Sequence, residues 1–131
     1  MKLGSTVFIK NTIEAVDFYT EAFGLTLGVF EKNPDGTYMH APLLKGDDEI
    51  FCLSESSNEP LLEMMLTSTL DKNRPIMSYG IDFKTVEELK KAYEMLIEEG
   101  TILFPLGKLP WNTLGADVVD KYGVYWYIYV R

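Results

Sequence analysis

Two short segments constrain this chain more than anything else in it. Asn11-Thr12-Ile13-Glu14 and Thr85-Val86-Glu87-Glu88 each follow a strand-like run and open an amphipathic stretch that closes on glycine, at Gly24 and Gly100. A capping residue with an acid three positions later marks a helix start, because the pair answers backbone N–H groups that the first turn leaves without partners. The first helix carries an apolar stripe through Ile13, Val16, Tyr19 or Thr20, and Phe23. The second carries Val86, Leu89, Tyr93 and Leu96, with Glu87, Lys90, Lys91, Glu94 and Glu98 on the outer face. The segments lie 74 positions apart, at 11 and 85. Residue identity between the halves is slight, so the repeat is one of pattern.

Strand signals complete each half. In the first, Ser5 to Lys10, Leu25 to Glu31, Thr37 to Leu44 and Glu49 to Ser54 read as strands. Asn33-Pro34-Asp35-Gly36 and Lys45-Gly46-Asp47-Asp48 supply the turns. In the second, Ile76 to Phe83, Thr101 to Phe104, Asn112 to Val119 and Val124 to Val130 are strands, with a loop from Pro105 to Pro110 and a turn at Asp120-Lys121-Tyr122-Gly123. The expected fold is α+β. Two β-α-β-β-β modules have mixed, curved sheets around a common cleft, with one helix backing each module. All 131 residues then form one domain, with module one at about 1–54, a linker at about 55–74 and module two at about 75–131. The linker, between Pro60 and Pro75, carries Leu61, Leu62, Met64, Met65 and Leu66, suited to a short helix or turn that covers an edge or meets a partner chain.

Composition excludes several classes. A net charge of −8 argues against nucleic acid and anionic membrane, which recruit clustered Lys and Arg. One cysteine, Cys52, makes no intrachain disulfide, which fits a reducing cytoplasm. Met1-Lys2-Leu3-Gly4-Ser5 has no signal-peptide character, and no apolar run approaches a membrane span. A single histidine, His40, leaves no room for a design that needs two imidazoles. Glycines 46, 100, 107 and 123 stand singly, so no phosphate-cradling loop is present.

Three stretches carry a resemblance to a known family. Ala15-Val16-Asp17-Phe18-Tyr19 with Ala22-Phe23-Gly24 resembles the first helix of the vicinal oxygen chelate superfamily, which holds glyoxalase I, bleomycin-resistance proteins and extradiol dioxygenases. Met39-His40-Ala41 is similar to a strand of its PhnB-like branch, as is the ending Asp120-Lys121-Tyr122-Gly123-Val124-Tyr125-Trp126 preceded by Trp111. Asn112 stands where that branch usually has glycine. The superfamily's enzymes hold a divalent metal with side chains of the first and last strands of each module. Those positions fall here at Gly4, near Cys52, at Ser78 and at Tyr127. They make no standard metal site, because glycine offers no donor, serine a poor one and tyrosine a high-pKa phenol. No metal and no cofactor is therefore expected. A soft-metal pair of His40 and Cys52 is the alternative to His40 as a polar cleft or core residue.

The same alignment sends Tyr125, Tyr127 and Tyr129 to the cleft and Trp126, Ile128 and Val130 toward the helix, by the alternation of a strand. Three tyrosines at period two offer apolar rings with hydroxyl handles, suited to an aromatic or amphipathic small molecule, or else to an interface or sheet edge. Asp82 reads as an inward base or cation partner, or as a solvated strand end. Trp111 is a ligand-stacking lid or a hydrophobic plug. Cys52 is an inert small hydrophobe, or a nucleophile if His40 activates it. The expected ligand-binding set is His40, Cys52, Asp82, Trp111, Tyr125, Tyr127 and Tyr129. The leading expectation is a metal-independent small-molecule-binding protein, a cytoplasmic homodimer with a neutral or cationic, partly aromatic ligand. The alternative is a glyoxalase-type lyase or isomerase using a non-standard metal site or Asp82/His40 acid–base chemistry.

Overall fold

Each capping segment lies where a strand gives way to a helix, and the helix returns the chain to the sheet it left. The computed structural model describes residues 1–56 and 77–131. Their order is β1 (Thr6–Ile9), α1 (Thr12–Phe23), β2 (Thr26–Leu27), β3 (Glu31–Lys32), β4 (Tyr38–Lys45) and β5 (Asp48–Glu55). There follow β6 (Tyr79–Asp82), α2 (Val86–Ile97), β7 (Thr101–Gly107), β8 (Leu114–Val119) and β9 (Tyr125–Val130). The chain divides into two compact units, Met1–Leu62 and Glu63–Arg131. The readings made of Pro60, Met64, Met65, Leu66 and their neighbours lie outside the described residues.

The two units repeat one topology. The first sheet runs β1-β5-β4-β2, with β3 also on β4; the second runs β6-β9-β8-β7. In each, the opening strand pairs parallel with the closing one, and the other pairs are antiparallel. Thr6 lies opposite Cys52 as Gly80 lies opposite Tyr127, so positions 52 and 127 are equivalent. The fold is α+β with two similar modules, as the repeated caps imply.

Packing explains where local signals misplace details. Helix α1 buries Thr12, Ala15, Val16, Phe18, Tyr19, Ala22 and Phe23, while Ile13 is 48% exposed. The expected stripe therefore begins one residue too late. Tyr19 stacks on Phe23 at 5.8 Å and meets the edge of Phe51 of β5 at 5.4 Å, closing the core of the first unit. Asn11 occupies the N-cap position at φ 62°, but its side chain makes no cap bond. Glu55, at the end of β5, replaces it. One carboxylate oxygen accepts the Asn11 N–H at 2.9 Å, and the other accepts the Thr12 N–H at 2.8 Å and the Thr12 hydroxyl at 2.7 Å. An anion at the positive end of a helix is favourable, and this one also ties β5 to α1. Thr12 Oγ1 in turn accepts the Tyr38 N–H at 2.9 Å, adding the start of β4 to the same junction.

Glu55→Ala is expected to cost about 2 kcal/mol in urea unfolding, the upper range of a lost cap. Asn11→Gly should stay within about 0.5 kcal/mol, because glycine accepts the left-handed backbone and no side-chain cap is lost. The reverse ranking would restore Asn11 as the cap.

At the second cap, Thr85 Oγ1 accepts the Glu88 N–H at 3.2 Å. Leu89, Ala92 and Leu96 are buried, Val86 and Tyr93 half-buried, and the five charged positions point outward. Gly100 does not terminate α2 as Gly24 terminates α1. Gly24 takes φ 62°, whereas in the second unit Glu99 takes the left-handed conformation at φ 56°.

Two strand boundaries also move. The expected strand from Leu25 to Glu31 breaks into β2 and β3 at Gly28. Gly28 N–H donates to Pro42 O at 2.9 Å, but proline has no N–H to return, so the ladder stops there. Strand β7 runs on to Gly107 through Pro105, which an edge strand tolerates.

Candidate functional site

Strand β9 builds the more chemically defined of two candidate faces. Trp126 and Ile128 are 1% and 0% exposed, and α2 packs against β8 and β9. Alternation then puts Tyr127 and Tyr129 on the face away from that core. Their rings stack at 4.7 Å with 22° between planes. Gly80 lies beside both, with a hypothetical Cβ 3.8 Å from Tyr129 and 3.9 Å from Tyr127, so the missing side chain leaves the rings room to lie over β6. Asp117 is opposite Tyr127 and Gly115 opposite Tyr129 in the β8–β9 register. Tyr125 is buried at the start of the strand.

Both stacked tyrosines are held at their hydroxyl ends. Trp111 donates its indole N–H to Tyr127 Oη at 2.7 Å, and Asn112 donates its amide Nδ2–H to the same oxygen. Trp111 itself is 70% exposed and presents an open indole surface. Arg131 Nε contacts Asp82 Oδ2 at 2.8 Å. The Tyr129 hydroxyl and, secondarily, Asp82 hold the Arg131 guanidinium still further in its charged form. The Asp82 carboxylate, read from sequence as a base or cation partner, thus already has a cation.

In the first unit the equivalent face carries His40 and Cys52. Cys52 is 1% exposed, and its sulfur lies 3.1 Å from His40 Nδ1 and 3.4 Å from Leu53 O. The imidazole is within reach, yet burial pushes the thiol above its ordinary pKa. A nucleophilic cysteine needs the opposite shift, so at neutral pH this sulfur is a protonated, water-excluded group. Nearby, a hollow of about 240 Å³ is lined by Lys2, Leu3, Gly4, Ser5, Glu49 and Ile50. It falls below the roughly 300–1,000 Å³ of small-molecule pockets.

Two of the positions where the resemblance puts metal ligands, Gly4 and Tyr127, are poor donors. Gly4 has no side-chain donor. Tyr127 receives two N–H donors on the oxygen a metal would need. Among the described residues, no three of His, Cys, Asp and Glu converge. The structure gathers Trp111, Tyr127, Tyr129 and Asp82 in the second unit and His40 with Cys52 in the first.

Sequence reading missed three partners. Asn112 had a signal, since it replaces a usual glycine beside Trp111. Arg131 had one in its parity with Tyr127 and Tyr129. Asp120, which the sequence places in a turn and in the resembling ending, is 4% exposed and accepts the Trp126 indole N–H at 2.7 Å.

The sequence profile of the Glyoxalase/Bleomycin resistance protein/Dioxygenase superfamily matches residues 4–128, and the chain belongs to that superfamily. Solved structures agree on the fold. The PhnB protein of Bacillus cereus superposes with a TM-score of 0.76 at 24% identity, covering 100% of both chains. A protein from Pseudomonas aeruginosa gives 0.72 at 22% identity over 100% of this chain and 98% of its own. TioX from Micromonospora sp. ML1 gives 0.66 at 18% identity over 100% and 96%. No curated protein sequence matches. Among the described residues, no helix is long and apolar enough to cross a membrane.

Proposed function

We propose that the chain is a single-domain, PhnB-like small-molecule-binding protein that works without a metal, in the cytoplasm and as a homodimer. Its ligand is neutral or cationic and partly aromatic. The observation that carries this reading is the stacked Tyr127–Tyr129 pair with Trp111 fixed at its hydroxyl end. Stacked rings and an open indole favour a flat apolar body, and the fixed polar edge gives it an orientation. The charge preference follows from a net charge of −8. The dimer rests on the family resemblance.

A thermal-shift series on protein purified without chelator tests the reading, using aromatic probes matched in size but cationic, neutral or anionic. Cations and neutral compounds should raise Tm, by about 2.7 kcal/mol of added stability at a hundredfold excess over Kd, and anions should not. Metal content measured on the same preparation should be far below one per chain. Stoichiometric metal that is lost in His40→Ala would sink the metal-free reading.

A further inference from the structure

The hydrogen bonds at Tyr127 fix the direction in which it can address a ligand. A phenol oxygen accepts at most two hydrogen bonds and donates one. Indole N–H is only a donor, so the 2.7 Å contact from Trp111 takes one acceptor site, and the Asn112 amide N–H takes the other. Among the described residues, no acceptor receives the Tyr127 O–H. A half-buried hydroxyl with both lone pairs engaged has one group left to offer, its proton.

We infer that Tyr127 is a one-way hydrogen-bond donor toward the ligand, and that Trp111 and Asn112 are positioning residues that set this polarity. This rests on the small-molecule reading above and narrows it. The ligand must present a hydrogen-free acceptor, a carbonyl oxygen or a ring nitrogen, at the edge of its aromatic plane. An aromatic ligand whose only polar group is a donor leaves the Tyr127 proton unanswered and also loses its own solvation. Because a buried polar group left unpaired costs more than a made bond returns, the discrimination is sharper than the bond alone would give. Charged donors at the polar edge are disfavoured for the same reason, so a cationic ligand carries its charge away from Tyr127.

Prodan, a neutral propionyl-dimethylaminonaphthalene, tests this. Its only strong acceptor is the ketone, and its emission moves to longer wavelength when that ketone accepts a hydrogen bond. Wild-type protein should bind it saturably, with emission red-shifted relative to an apolar solvent without hydrogen-bond donors, because the bound ketone accepts the Tyr127 O–H. Tyr127→Phe keeps the ring stack; it should bind about five-fold more weakly, the size of one ordinary hydrogen bond, and lose the red shift. Asn112→Asp keeps the side-chain shape but supplies an acceptor that captures the Tyr127 proton. It should lose the red shift although Tyr127 is intact, an effect that a structural role for Asn112 would not produce. Unchanged affinity and emission in Tyr127→Phe, or a retained red shift in Asn112→Asp, overturns the polarity while leaving the binding reading standing. Absence of saturable binding to the wild type sinks the binding reading itself, and the inference with it.

Discussion

Asp120→Ala should lower the stability of the chain by about 4 kcal/mol, a large share of the 5–15 kcal/mol that holds a domain together. Asp120 Oδ1 accepts the backbone N–H groups of Tyr122 at 2.9 Å and Val124 at 3.0 Å, and Oδ2 accepts the Trp126 indole N–H at 2.7 Å. The carboxylate is 4% exposed, and Val124 and Trp126 are 7% and 1% exposed. Alanine leaves three donors without acceptors in a place that water reaches poorly, at about 1–3 kcal/mol for each one fully stranded. Partial access of water to the Tyr122 end keeps the total below the simple sum. Asp120→Asn separates the parts: its carbonyl can serve the turn, but its NH₂ then faces the indole N–H, so about 2 kcal/mol should be lost. Urea unfolding followed by Trp fluorescence reads both, and a cost below about 1 kcal/mol for alanine would show that the turn holds without Asp120.

That turn matters to the site because it sets the β8–β9 register. Asp120 N–H also bonds Val124 O at 2.9 Å, closing the hairpin so that Asp117 falls opposite Tyr127 and Gly115 opposite Tyr129. A slip of one residue would turn Tyr127 toward α2 and Trp126 outward. The buried carboxylate therefore acts on the tyrosine face at a distance, by deciding which side of the strand is which.

The sequence made the strand parity of β9 legible because alternation is a local property: Trp126 and Ile128 had to share a face, and Tyr127 had to oppose it. The caps were legible for the same reason, and at Thr85 the bond that forms is a local one. At Asn11 it is not. Glu55 reaches the helix across 43 residues of sequence, and nothing near Asn11 announces that a carboxylate will arrive from another strand. The same holds for Arg131 on Asp82, residues 49 apart that meet because β6 and β9 are parallel neighbours. The break at Gly28 was hidden differently, in the missing N–H of Pro42 on a partner strand. The candidate site was thus readable in its rings and in Trp111, whereas the bonds from Trp111 and Asn112 to Tyr127, across 15 or 16 positions, were not.

Gly100→Ala is expected to be the other severe substitution, and its cause is not backbone conformation. A Cβ at Gly100 would lie 2.4 Å from Leu96 O and 2.7 Å from Val119 O. Both contacts are backbone carbonyls, one in the last turn of α2 and one at the end of β8, so neither can rotate away as a side chain would. Accommodating the methyl group means separating the helix end from the sheet, around a core in which Leu96 and Val118 are fully buried. Overpacking costs about 1–3 kcal/mol where side chains can yield, and more where only backbone can move, so about 3–4 kcal/mol is expected, roughly 10 °C in Tm. Gly24→Ala is the control, because there the glycine is required by φ 62° and a Cβ meets only Lys45 Nζ, at 3.1 Å. A left-handed alanine costs about 1–2 kcal/mol, and the lysine can swing aside. Calorimetric unfolding of the two variants should therefore rank Gly100→Ala well below Gly24→Ala. Equal Tm values would mean that both glycines serve as chain reversals, as the repeated helix endings suggest on sequence alone. A larger loss at Gly100 would show instead that α2 is seated on β8 by close backbone approach, with Glu99 making the reversal.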